Sequence, residues 1–374
     1  MLSISRRNLL IGSALTALSP RISAADTPVA SPSPVADRRL DHCGLYYDLG
    51  AELMRGELTR PAEHETYFRD ELTAIRDQLH SPSVALYGSV PDQLVAGLEI
   101  AADLGFDIRL QTRLNYQPEA EMVDRLAFVA ENAERARQQG VPIVVDVGCE
   151  YLVFSGDLVE GESAAEKLEV LLSEDADYTE LLGNLAAMLG NLATTARSTF
   201  GGQVTYSDTP MDPSIWEPFD IIGIDHYLSS DTASTYVETI DNLAGSGKPV
   251  WVNEFGCATW DGAAELGGMA WDVVDYETDP PQIQDGIVRD EAEQAQAILD
   301  TLSLIEQSQA ERAYLNEFIA PGSPRSDDPR YDFDLLSYGI VAAWGPDGDQ
   351  PYDTTGYWEP KVAFDELAAW NAER

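Results

Sequence analysis

Two short apolar runs in this chain each end in a glutamate. Val250-Trp-Val252 leads through Asn253 to Glu254, and Val141-Pro-Ile-Val-Val-Asp-Val-Gly-Cys149 leads to Glu150. Runs of this length, rich in β-branched residues, read as buried parallel strands, so each carboxyl falls at a strand's C-terminal tip. Two such carboxyls can break a glycosidic bond, one as acid/base and one as nucleophile. A separation of about 5 Å would retain anomeric configuration, and about 6.5–9.5 Å would invert it. The stretch from Ile143 to Phe154 is apolar around Glu150. Burial there raises a carboxyl pKa, as a proton donor near neutrality requires. Glu254 sits between Asn253 and Phe255-Gly256, where neighbouring donors would hold a nucleophilic carboxylate. The bland reading of Glu254 is a structural glutamate paired with an arginine.

Other chemistry-bearing side chains fall at strand ends. The run Asp220-Ile-Ile-Gly-Ile-Asp-His-Tyr227 closes with His226 and Tyr227. A tyrosine there can donate a hydrogen bond to the carboxylate on the next strand. Tyr47, Asp48, Gln111, Arg113, Tyr206 and Asn253 are candidate rim groups for a bound ligand. Trp260 and Trp271 either stack on the apolar face of a sugar ring or pack a loop onto the fold. Asp146, Glu150, Asp225, His226 and Glu254 could instead gather a divalent ion. No H-x-H or H-E-x-x-H spacing accompanies them, so the expectation is no metal and no cofactor.

These residues need a frame that brings distant strand tips to one face. From Asp41 onward strand-like and helix-like segments alternate, the signature of βα units. Strands are expected over Gly44–Leu49, Ser83–Tyr87, Phe106–Leu114, Ile143–Gly148, Gln203–Ser207, Ile221–Asp225, Pro249–Asn253 and Ala313–Phe318. Helices are expected over Glu63–His80, Val90–Leu104, Pro118–Gln139, Tyr178–Phe200, Ala233–Ala244 and Arg289–Gln309, with a last helix from Lys361. The count predicts a single (β/α)8 TIM barrel, in which the active face lies at the strands' C-terminal ends. Leu181, Leu185, Met188, Leu189 and Leu192 recur at helical spacing and would cover the sheet. Asp107-Ile-Arg-Leu-Gln-Thr-Arg113 alternates, which would aim its polar residues into the barrel mouth. Long insertions follow strand 7 (Gly256–Asp285) and strand 8 (Ala320–Tyr357). Loops of that length usually act as lids or are mobile.

The chain has 374 residues, of which 65 are acidic and 23 basic, for a net charge of −42. Such a surface repels phosphate backbones and anionic lipid, which excludes nucleic-acid and membrane-surface partners. Salt adaptation accounts for the acidity better than an acidic extracellular setting. Ser5-Arg-Arg-Asn-Leu-Leu10 and the apolar run Leu9–Leu18 read as a twin-arginine signal peptide over residues 1–25. A Pro/Ser-rich linker would follow over 26–40, with the barrel over 41–374. Export follows, with no stable membrane insertion, since the run is too short to span. Cys43, Cys149 and Cys257 allow at most one disulfide and read best as small buried side chains.

Glu150, Glu254 and Tyr227 together resemble the clan A glycoside hydrolases, whose acid/base ends strand 4 and whose nucleophile ends strand 7. The resemblance implies a carbohydrate substrate, with Glu150 as acid/base, Glu254 as nucleophile and Tyr227 as the strand 6 tyrosine. A closer likeness is to a bacterial group of barrel proteins labelled abortive infection or hydrolase-like proteins. It rests on Val147-Gly-Cys-Glu150, Asn253-Glu-Phe-Gly-Cys257, Gly262-Ala-Ala-Glu-Leu-Gly-Gly-Met-Ala-Trp271, Pro329-Arg-Tyr-Asp-Phe-Asp334, Ser337-Tyr-Gly339 and Trp358-Glu-Pro-Lys361. The chain departs from the clan at three points. Cys149 stands where asparagine usually precedes the acid/base, strand 2 lacks an arginine, and Asn316-Glu-Phe318 replaces a strand 8 tryptophan. These departures support the alternative of a non-catalytic carbohydrate-binding or phage-defence barrel with a degenerate site.

Overall fold

Apolar runs of five to seven residues, too short for helices and bounded by Gly, Pro and Asp, form the inner strands. The computed structural model describes residues 40–374 except 54, 62, 63, 162, 174 and 175. The twin-arginine leader and nearly all of the linker lie outside the described residues. The strands are β1 (Gly44–Asp48), β2 (Ser83–Gly88), β3 (Asp107–Thr112), β4 (Ile143–Cys149), β5 (Val204–Asp208), β6 (Ile221–Asp225) and β7 (Val250–Phe255). The two short strands β8 (Val274–Asp275) and β9 (Gln282–Ile283) pair in the first insertion, and β10 (Ala310–Leu315) is the eighth barrel strand. A second ribbon, β11 (Val341–Ala343) with β12 (Trp358–Pro360), closes the other insertion. The barrel is closed in the order β1-β10-β7-β6-β5-β4-β3-β2, all neighbours parallel. This is the (β/α)8 architecture the alternation predicts.

The helices are α1 (Glu65–Asp77), α2 (Pro91–Leu104), α3 (Glu119–Gln138), α4 (Tyr151–Phe154), α5 (Ala164–Leu171), α6 (Tyr178–Thr199) and α7 (Tyr236–Ala244). After them come α8 (Ala263–Leu266), α9 (Glu291–Gln307), α10 (Tyr352–Thr355) and α11 (Val362–Ala372). On α6, Leu185, Met188, Leu189 and Leu192 are buried as the spacing predicts, and Asp177 caps the helix by accepting from Thr179 and Glu180 N–H. Truncating one such leucine to alanine costs about 2–5 kcal/mol. Among the described residues no helix is long and apolar enough to cross a membrane.

Boundaries differ from expectation where polar residues interrupt a pattern. β10 begins at Ala310 rather than Ala313, because Arg312 is held by an ion pair to Asp107 and Glu311 points to solvent. β7 runs on to Phe255, so Glu254 lies within the strand rather than beyond it. The cysteines Cys43, Cys149 and Cys257 are free and buried.

The barrel interior is layered. Tyr46, Ala85, Val144, Ile221, Trp251 and Tyr314 form an apolar cluster. Above it lies a polar layer. Arg109 donates to Asp146 (Nε, 2.8 Å) and Tyr46 (2.7 Å), Ser207 donates to Asp146 (2.7 Å), and Asn253 donates to Ser207 (2.8 Å). Gly223 stands beside this layer because a Cβ there would lie 2.0 Å from the Asn253 amide. The next step along the strands is the mouth.

Candidate active site

The end of β4 is bent into position by its own backbone. Register with β5 slips between Asp146 and Cys149. Gly148 has φ +154°, and a Cβ there would meet the Tyr151 ring at 2.0 Å. Glu150 itself has φ 46° and ψ 49°, a left-handed conformation that costs a non-glycine residue about 1–3 kcal/mol. Its N–H is tied to the Ser207 carbonyl at 3.0 Å. The bend brings the Glu150 side chain to a cavity of about 110 Å³ that Glu254, Arg113, Asp48, Tyr87, Trp271, Asn316 and Glu317 also line.

Glu254 is held from two sides. Arg113 Nη2 donates to its Oε1, and the Arg113 Nε donates to Gln111 Oε1 at 2.9 Å. Gln111 in turn donates to Asp146 at 3.1 Å, so the polar layer fixes the arginine. The Arg113 guanidinium also lies 4.7 Å above the Tyr87 ring, a cation–π contact. Tyr227 OH accepts from Asn316 Nδ2 at 2.7 Å and donates its own proton to Glu254 Oε2 at 3.2 Å. A guanidinium thus reaches Glu254 from the residue just after β3, although strand 2 carries no arginine.

Glu150 is treated differently. It is 2% exposed, and its Oε1 has no hydrogen-bond partner among the described residues. Burial, then the negative charges of Asp225, Glu254 and Asp208, push its pKa well above the usual carboxylate range, and Arg113 only partly opposes this. Asp208, at the end of β5, is pushed up to about 7 by burial. Asp225 is raised by burial and by Glu254. The Cys149 thiol donates to Asp225 Oδ2 at 3.3 Å and lies 3.8 Å from Glu254 Oε1.

Several expected site residues lie elsewhere. Tyr47 faces outward, since alternation along β1 turns Tyr46 and Asp48 inward. Its OH donates to Glu71 and accepts from Arg60 at 3.0 Å. Tyr206 is outward on β5 by the same parity, donating to Asp208 at 2.6 Å and accepting from the Tyr151 N–H at 2.9 Å. His226 stacks on Tyr236 at 4.1 Å and does not line the cavity. Trp260 donates to the Ala270 carbonyl at 2.8 Å and packs the insertion, whereas Trp271 lines the cavity. Asn253 serves the polar layer below the mouth. Of the five residues proposed as metal ligands, Asp146 is paired with Arg109 and His226 is stacked away. Asp225 and Glu254 gather instead with Cys149, their ligand atoms within 4.8 Å.

Sequence reasoning missed Glu317, Tyr87, Asn316 and Tyr338 as cavity residues. The signal was present for two of them. Asn316-Glu317 follows the eighth strand directly, and a carboxylate at a barrel strand's C-terminal end is a site candidate on geometry alone. Tyr87 OH donates to Glu317 Oε2 at 2.5 Å.

No protein-family model matches the chain. No curated protein matches it either. Solved structures do. A GH113 β-1,4-mannanase aligns with 14% identity and a TM-score of 0.54, covering 90% of this chain and 100% of that one. The GH113 β-mannanase AaManA from Alicyclobacillus acidocaldarius, in complex with ManMIm, aligns with 16% identity and a TM-score of 0.52, covering 90% and 97%. Bacteroides uniformis β-glucuronidase 2 aligns with 14% identity and a TM-score of 0.51, covering 89% of this chain and 35% of that one. At these identities the likeness is one of fold. It carries the barrel expected from the clan A resemblance and gives no support to the closer likeness to abortive infection proteins.

Proposed function

We propose that this protein is a glycoside hydrolase in which Glu150 is the general acid/base and Glu254 the nucleophile, with retention of configuration. The observation that carries the reading is the unequal environment of two glutamates lining one cavity. Glu254 is clamped by a guanidinium and a phenol, which aim its oxygens. Glu150 is buried with a free oxygen and a raised pKa, the condition of a proton donor. In the first step Glu254 attacks the anomeric carbon while Glu150 protonates the leaving oxygen. Water then enters, and Glu150 takes its proton as the glycosyl–Glu254 bond breaks. Neighbours of the same fold are named as mannanases and a glucuronidase, which adds weight to a carbohydrate substrate.

The test is hydrolysis of an aryl-glycoside panel by wild type, Glu254→Gln and Glu150→Gln. Loss of turnover in the Glu254→Gln protein, assayed well below its melting temperature and beyond what any lowered Tm explains, is the expected result, and unchanged activity sinks the assignment. Proton NMR of the first-formed anomer tests retention. We further propose that residues 1–25 export the folded protein by the twin-arginine route. Replacing Arg6 and Arg7 with lysine should then leave the protein in the cell on fractionation.

A further inference from the structure

The cavity gathers more carboxyl groups than a hydrolytic pair needs. Its lining includes four carboxyl groups, those of Asp48, Glu150, Glu254 and Glu317, against one guanidinium, that of Arg113. Arg113 is already committed to Glu254. Asp48 is fixed by its Oδ1, which accepts from Gly50 N–H at 2.7 Å and Ala51 N–H at 3.2 Å, and burial together with its nearness pushes the Glu317 carboxyl up to about 8. Tyr87 holds one oxygen of Glu317. Two polar atoms of cavity-lining residues are buried without partners among the described residues. They are Glu150 Oε1, on a residue 2% exposed, and the indole N–H of Trp271, on a residue 5% exposed. Buried polar atoms left unpaired call for a polar ligand.

We propose that Asp48 and Glu317 form a subsite for the ammonium group of an amino sugar, so that the preferred glycone is a non-acetylated hexosamine. This rests on the glycosidase reading and names its substrate class. A uronate carboxylate brought to this wall would meet like charge with no free cation to receive it. A neutral hydroxyl could bond to Glu317 but would gain nothing from the second carboxylate. An ammonium donates three hydrogen bonds and answers both acids, and charge-assisted bonds are the stronger kind. The net charge of −42 steers polycationic glycans toward the molecule in the same sense.

Calorimetric titration separates this proposal from the catalytic one, because binding needs no turnover. The Glu254→Gln protein would be titrated with oligosaccharides of glucosamine, N-acetylglucosamine, glucose and glucuronate at equal length. The amine should bind about tenfold or more tightly than the neutral and acetylated sugars, with no detectable glucuronate binding. Glu317→Gln should abolish that preference, and Tyr87→Phe should weaken it while keeping the carboxyl. Neutral sugar binding as tightly as the amine overturns the ammonium subsite and leaves the glycosidase reading standing. Failure of every sugar to bind overturns the ammonium subsite as well, while the aryl-glycoside panel decides the glycosidase reading by itself.

Discussion

Arg113 does for Glu254 what no other described cation can, because its fork reaches Gln111 and the carboxylate at once. Removing one partner of a buried ion pair typically destabilises by about 3–5 kcal/mol, since the other charge is stranded. Arg113→Met should therefore lower Tm and reduce kcat/KM by about 10²–10³-fold. Arg113→Lys, which keeps the charge and loses the fork, should recover stability better than activity; melting curves and steady-state kinetics separate the two. Proton inventory gives a second residue-scale expectation. Glu150 must be protonated to donate, and its pKa is raised, so activity should survive into neutral pH and fall as pH climbs through that raised value. His226 works in the opposite sense on stability. Burial lowers its pKa to about 4 from an ordinary value near 6.5, so the unfolded chain takes up a proton first as pH falls. Stability is full above about 6.5 and declines toward 4, by up to about 3 kcal/mol. His226→Phe should flatten that decline in urea melts at pH 4.5 and 7.

At the scale of elements, the sequence carried the strands and most helices because apolar runs and helical spacing are local signals. The alternation of Arg109, Gln111 and Arg113 along β3 likewise placed all three in the barrel interior before any coordinates. What it could not carry was parity at β1 and β5. Tyr46 and Tyr47 are adjacent and alike, and only the pairing of β1 with β2 and β10 decides which faces inward. The Arg113–Glu254 contact joins residues 141 positions apart, beyond any local pattern. Glu317 was not legible as a site residue because the polar start of β10 shifts the expected strand along the chain, which puts Glu317 inside it rather than just beyond its end. The bend after β4 was half legible, as Gly148-Cys-Glu150 marks a break without giving its direction. Gly148→Ala tests the bend. The added Cβ would fall 2.0 Å from the Tyr151 ring, which should destabilise by about 1–3 kcal/mol and displace Glu150. Activity should then drop further than the melting shift explains, measured well below Tm.

The whole molecule shows how an acidic chain spends its few cations. Its three lysines are all tethered to fixed groups. Lys167 Nζ donates to the Ser155 carbonyl, Lys248 to the carbonyls of Trp216, Glu217 and Phe219, and Lys361 to Asp334 and Thr259. Lysine is therefore kept where it closes a loop or a buried pair and withheld from the solvated surface. With 65 acidic residues against 23 basic, the remaining surface charge repels itself. Screening shortens that repulsion from a range of about 10 Å at 0.1 M salt to about 3 Å at 1 M. Buried pairs such as Arg60–Glu71 and Lys361–Asp334 are screened far less, so salt should relieve the repulsion without dissolving the internal ties. Tm should accordingly rise by several degrees between about 0.1 M and 2 M sodium chloride. Replacing exposed acids on α3 and α9 with glutamine should remove part of that gain. A Tm independent of salt, or falling with it, would show that the acidity answers some need other than a saline medium.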